Sequence, residues 1–102
     1  MTPDSVPPDF SREMGCTTAD LLAVLPKALS GADLRVDAQA SKAVANFGGA
    51  VLELSWQSRP PRRIALLQIP VLVVHFRYVG FDAAGRHAVQ RRFDLATQRG
   101  GG

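Results

Sequence analysis

The sequence predicts an α+β chain, a two-layer sandwich in which an antiparallel sheet of about four strands carries two helices on one face, in the order α-β-β-β-β-α. Three observations lead there. Leu21, Leu22, Leu25, Ala28 and Leu29 share one stripe at helical spacing, and Ala88, Val89, Phe93 and Ala96 do the same near the C-terminus. Between these stripes apolar residues recur at every second position, the period of half-buried strands. The connections between the strands are of hairpin length, too short for the crossovers that parallel pairing needs. With 102 residues, 46% of them hydrophobic, the chain has material for one core and not for two.

Residues 1–15 are rich in Pro, Asp and Ser and are expected to form a disordered leader ahead of a single domain over residues 16–98. Thr17 or Thr18 can cap the first helix, with Asp20 in the first turn where the helix dipole favours an anion. Pro26 removes one hydrogen bond and crowds the preceding turn, so a kink or an end near Leu25 is expected, and Gly31 supplies the stop. Leu34, Val36 and Ala38 alternate with Arg35, Asp37 and Gln39 as a half-buried strand. Gly48-Gly49 then closes a two-residue turn that pairs Phe47 with Ala50, Ala45 with Leu52 and Ala43 with Leu54. That register puts these residues and Trp56 on one face and Lys42, Asn46, Glu53 and Ser55 on the other.

Residues 58–63, with Pro60-Pro61 among three arginines, read as an extended polyproline-like connection. Residues 64–69 and 71–79 read as strand segments interrupted or bulged at Pro70, with Leu72, Val74, Phe76 and Tyr78 facing the core. Asp82 caps the last helix, whose Arg86, Gln90, Arg91 and Gln98 are expected to point outward. Residues 99–102 are expected to fray as a glycine-rich tail.

A single cysteine, Cys16, rules out an intrachain disulfide framework and fits a reducing compartment. No apolar run opens the chain, and the longest one, residues 64–74, falls far short of the ~20 residues of a membrane span. A cytoplasmic protein with no membrane partner is expected. Cys16, His75 and His87 fall on different elements without a ligand spacing, so neither a metal nor a cofactor is expected. Nucleophilic catalysis would need Cys16 or a serine beside an oriented histidine, and no spacing asks for it; an enzyme working through His75 ranks behind the binding roles.

Charge divides unevenly. Residues 1–50 hold four basic and six acidic groups, residues 51–102 eight and three, and all eight of those basic groups are arginines. Arginine's planar fork suits phosphate, which makes Arg59, Arg62 and Arg63 in the connection, His75 and Arg77 on the open sheet face and Arg91 on the last helix candidates for an anion-binding site. The aromatics that would stack on bases, Phe76 and Tyr78, alternate onto the core face instead. The element order resembles that of double-stranded-RNA-binding domains, but Asp82-Ala83-Ala84-Gly85-Arg86-His87 lacks the lysine cluster with which that family holds phosphate, so the likeness is one of topology. Arg99-Gly100-Gly101-Gly102 is similar to the diglycine tails of ubiquitin-like and sulfur-carrier proteins, but it follows a predicted helix rather than a strand.

Outward Val71, Val73 and Val79 form an apolar strip of the kind that soluble domains cover with a partner or a second copy. The residues name no ligand and no reaction. The expectation is a small non-enzymatic binding or protein-interaction module, a homodimer through the 71–79 strand being one form of it. The alternative is binding of RNA or a phosphorylated ligand through the arginine-rich face.

Overall fold

The computed structural model of the chain describes residues 6–100, with side chains through residue 98. Residues 1–5 of the expected leader and Gly101-Gly102 of the expected tail lie outside the described residues. The elements are β1 (Asp9–Met14), α1 (Thr18–Ala28), β2 (Asp33–Asp37), β3 (Lys42–Asn46), β4 (Val51–Ile64), β5 (Leu67–Val79) and α2 (Ala83–Gly100). The strands make one antiparallel sheet in the spatial order β1-β5-β4-β3-β2. The class is the expected α+β, with five strands in place of about four.

Alternation decides which face the helices cover. Ala43 and Ala45 of β3, Leu52, Leu54 and Trp56 of β4, and Leu72, Val74, Phe76 and Tyr78 of β5 are all buried in one cluster with Leu21, Leu25, Ala28 and Leu29 at α1 and Phe93 of α2. Small residues oppose large ones across the β3–β4 hairpin, Ala43 against Leu54 and Ala45 against Leu52, in the register expected from the sequence. Gly48 and Gly49 close that hairpin at φ +78° and +117°, and the Phe47 amide donates to the Ala50 carbonyl at 2.8 Å. Such a turn suits glycine because it lacks a Cβ. At the centre, the Phe76 ring stacks on Phe10 at 4.9 Å and meets Phe93 edge-on at 5.0 Å.

Helix α1 starts with a capping box in which Thr17 accepts from the Asp20 amide and Asp20 accepts from the Thr17 amide, each at 3.1 Å. It continues past Leu25 to Ala28 with Pro26 inside. The proline falls in the last turn, where one missing hydrogen bond is offset by the burial of Ala28 and Leu29.

Three further expectations are corrected. Residues 9–14 form the edge strand β1 rather than part of a disordered leader, because Phe10 and Met14 pack on the core and Arg12 reaches the Asp94 carboxylate. Residues 58–63 continue β4 instead of forming a separate connection, and β5 runs through Pro70 unbroken, the expected irregularity there being a bulge against β4. Helix α2 is also turned from the expected orientation: Ala88 is exposed, while Gln90 is 3% exposed.

Gln90 is buried because it is matched. Its Oε1 accepts from the Tyr78 hydroxyl at 2.6 Å, and its Nε2 donates to Asp94 Oδ1 at 3.0 Å, the carboxylate that Arg12 also engages. Burial pushes the Tyr78 phenol well above its ordinary value of 10.0, reinforced by Asp94 and opposed by the smaller pulls of Arg12 and Arg86. A phenol held neutral in the folded chain contributes stability that is intact below pH 10 and is lost as pH rises beyond it. Tyr78 is the only tyrosine, so near-ultraviolet tyrosinate absorbance reads it directly. The folded chain is expected to show no ionisation at the pH where the urea-unfolded chain titrates, with absorbance rising only as circular dichroism is lost. Tyr78→Phe, which strands the Gln90 oxygen, is expected to cost about 1–3 kcal/mol in urea unfolding at neutral pH.

Candidate functional site

The face of the sheet away from the helices can be traced in rows across the register. Asp9, Arg77, Glu53, Val44 and Arg35 form one row, Ser11, His75, Ser55, Lys42 and Asp37 the next, and Glu13, Val73 and Gln57 a third. Acids sit beside three of the six expected anion-site cations. His75 Nε2 lies 2.6 Å from Asp9, Arg62 2.8 Å from Glu13 and Arg77 3.8 Å from Glu53. Arg91 belongs to α2, in the other layer. The six candidate anion-site residues therefore do not converge: His75 and Arg77 lie on the sheet face, Arg59, Arg62 and Arg63 on the far half of β4, and Arg91 on a helix.

The expected apolar strip is also altered by the topology. From Leu72 to Arg77 strand β5 lies between β1 and β4, so Val73 is on no free strand edge, while Val71 and Val79 fall just beyond the β1 pairing. Val71 and Val73 are half-buried and Val79 is exposed. The acids that neutralise this face come largely from β1, and their signal was present in the sequence as the alternation of Asp9, Ser11 and Glu13 with Phe10, Arg12 and Met14.

His75 sits in a connectivity that resembles a hydrolase triad. Its Nε2 lies 2.6 Å from an Asp9 carboxylate oxygen, and its Nδ1 lies 2.8 Å from the Ser11 hydroxyl. A triad alone does not transfer acyl groups; it needs a concave seat with donors converging on the developing oxyanion. Asp9, Ser11 and His75 stand instead on the outer face of a sheet, with the His75 and Asp9 side chains 42% and 58% exposed. A groove of about 820 Å³ lies in the other layer, lined by Met14, Cys16, Leu21, Val24, Lys27 and Asp94 among others. Its thiol is not an activated one, since burial and then the Asp20 charge push Cys16 above 9.0. Among the described residues no cluster of His, Cys, Asp or Glu is placed to hold a metal ion.

The far half of β4 and the near half of β5 make a different kind of site. Pairing of β1 ends at Met14 with Leu72, and pairing of β3 ends at Lys42 with Ser55, so the two long strands continue alone as a two-stranded ribbon. Pro60 and Pro61 stand opposite Pro70, between the pairs Arg59–Val71 and Arg62–Ile69. Two residues facing one is a β-bulge, and the prolines fit it because they have no amide to offer a ladder. Beyond it Arg63 pairs with Gln68 and Ile64 with Leu67, around a turn in which Ala65 adopts φ +55°.

All residues from 57 to 68 are exposed. At the tip Ile64, Leu66 and Leu67 are 52%, 101% and 65% exposed, and Arg62 and Arg63 follow directly behind. No acidic residue occurs between Glu53 and Asp82. The ribbon is thus an apolar end with a basic collar formed by Arg59, Arg62 and Arg63.

No family model, curated protein or solved structure matches the chain.

Three outcomes are expected from this geometry. Ser11→Ala, Asp9→Asn and His75→Gln each remove exposed cross-strand contacts, so each is expected to move the thermal midpoint by less than ~4 °C in calorimetry. Hydrolysis of p-nitrophenyl acetate is expected to be unchanged by Ser11→Ala; a large loss would make Ser11 a nucleophile. Cys16 is expected to react with a disulfide reagent more slowly in the folded chain than in urea at the same pH, as a raised thiol pKa and partial burial require.

Proposed function

We propose that the protein is a non-enzymatic interaction module whose contact element is the β4–β5 ribbon. The observation that carries this reading is the clustering of Ile64, Leu66 and Leu67 at the end of a ribbon that packs against no third strand. Exposed residues of the same size elsewhere, among them Val36, Val44, Val79 and Leu95, are scattered over other elements. A two-stranded ribbon in water gains little from its own pairing. Contact with a partner gives the apolar tip a setting that the fold alone does not.

Association with a protein, including a second copy of the chain, is one form of this module, and the cytoplasm is the compartment that a single unpaired cysteine fits. Binding of RNA or a phosphorylated ligand is the second reading. It draws on Arg59 and Arg63, which no carboxylate engages among the described residues.

The reading requires that the ribbon be dispensable for folding. Arg59 and Val71 face each other in the register, so replacing residues 60–70 by a two-residue Asn-Gly turn rejoins β4 and β5 without changing the sheet. The shortened chain is expected to keep its circular dichroism and a thermal midpoint within ~4 °C of the full chain. Collapse of the fold would make the ribbon a structural element and overturn the reading.

A further inference from the structure

We propose that the ribbon docks on an anionic lipid surface, with Ile64, Leu66 and Leu67 entering the interface and Arg59, Arg62 and Arg63 facing the lipid phosphates. The proposal rests on the ribbon being the contact element, and it names the partner. The basis is the order of chemistry along the ribbon axis. The apolar side chains come first, at the turn, and the charges come behind them.

A bilayer interface presents the same order in reverse, phosphates outside and hydrocarbon beneath. Arg63 and Arg62 lie one and two residues behind Ile64, about 3–7 Å at the rise of a strand. That matches the ~5–10 Å by which apolar groups enter the headgroup boundary. Arg59 lies farther back, beyond the bulge, and its long side chain can extend towards the same phosphate layer. With no acid between Glu53 and Asp82, nothing on the ribbon itself repels an anionic surface. The Arg62–Glu13 pair joins the ribbon to β1, and the exposed Arg62 guanidinium, with 60% of its side chain accessible, can exchange that carboxylate for phosphate.

The other partners fit less well. A nucleic acid carries its phosphates outermost and would meet charges first, whereas this ribbon leads with leucine. A second copy offers the groove beside α1 as a seat, but Arg12 and Lys27 there are matched by Asp94 and Asp20, so its lining has no net charge to draw three arginines. The expectation of no membrane partner rested on span length, and among the described residues no helix is long and apolar enough to cross a membrane. A surface contact needs no span.

The test is co-sedimentation of the full chain with vesicles of phosphatidylglycerol and phosphatidylcholine, against vesicles of phosphatidylcholine alone. Binding is expected to the anionic vesicles only, weakening from about 50 to about 200 mM salt as the charges are screened. L66D/L67D is expected to lose at least tenfold in affinity with its circular dichroism unchanged, and L66Q alone to lose less. R59Q/R63Q is expected to weaken binding and flatten its salt dependence. No co-sedimentation at low salt, or equal binding by L66D/L67D, overturns the proposal.

A concentration-dependent dimer that L66D/L67D dissolves, or RNA binding that R59Q/R63Q removes while vesicles stay unbound, overturns it in favour of another partner. The shortened ribbon separates the two levels. If that chain folds and the full chain ignores vesicles, the interaction-module reading stands and the lipid surface does not.

Discussion

The pairing of β4 with β5 is the constraint on which the rest depends. These strands, 14 and 13 residues long, meet antiparallel from Val51–Val79 to Ile64–Leu67. Side chains alternate strictly along a strand, so this one register places Leu52, Leu54, Trp56, Leu72, Val74, Phe76 and Tyr78 together beneath the helices. A slip by one residue would carry Glu53, His75 and Arg77 inward without partners, at a cost no rearrangement of the helices could recover. The short strands attach to this pair, β3 to β4 and β1 to β5, and add width to a face already defined.

Polar groups join the two layers where the apolar core narrows. Arg12 projects from β1 on the helix side, 5.7 Å above the Phe76 ring centre, and engages Asp94 of α2. Asp94 accepts from Gln90 as well, and Gln90 accepts from Tyr78 of β5, so one chain of contacts links β1, α2 and β5. Arg86 extends it by donating to the Val6 and Phe81 carbonyls, and Arg92 fastens α2 to the end of α1 through Ser30. The arginine excess of the second half is therefore in part structural. Trp56 is the exception among these buried groups: its Nε1 has no partner among the described residues.

What could be seen in the sequence was what local periodicity encodes. The Gly48-Gly49 hairpin, the cap at Thr17 and the inward face of β5 follow from turn chemistry and alternation alone, without knowledge of what lies across the core. The errors lie where a long-range partner overrides a local signal. Asp9–Met14 has the composition of a loose segment and becomes a strand because β5 and Asp94 are there to receive it. Gln90 has the polarity of an outward position and turns inward because Tyr78 supplies a donor. Pro60, Pro61 and Pro70 each signal a break when taken singly, and together they make one bulge in which no amide goes without a partner it needed. Of the candidate site, Arg59, Arg62 and Arg63 were legible as a basic cluster, but the apolar tip escaped notice, since the residues flanking Ala65 form an exposed end only once residues 58–63 are known to be strand.

The two ends of the same strand pair sit in different surroundings. At the sheet end, β4 and β5 have neighbouring strands on both sides, and their inward residues lie beneath the helices, where packing sets their chemistry. At the ribbon end there is no third strand, and every residue from 57 to 68 is exposed, so packing places no demand on the tip. Large apolar residues kept at such a place are not explained by the fold's own stability, because exposing them gains nothing in water. Ala65 holds a left-handed conformation that glycine adopts more readily, and local strain of this kind persists where the surrounding structure or a function holds it in place. Around Ala65 the surrounding structure is a two-residue hairpin turn, whose geometry itself asks for a positive φ, so the conformation belongs to the turn that holds Ile64, Leu66 and Leu67 at the tip.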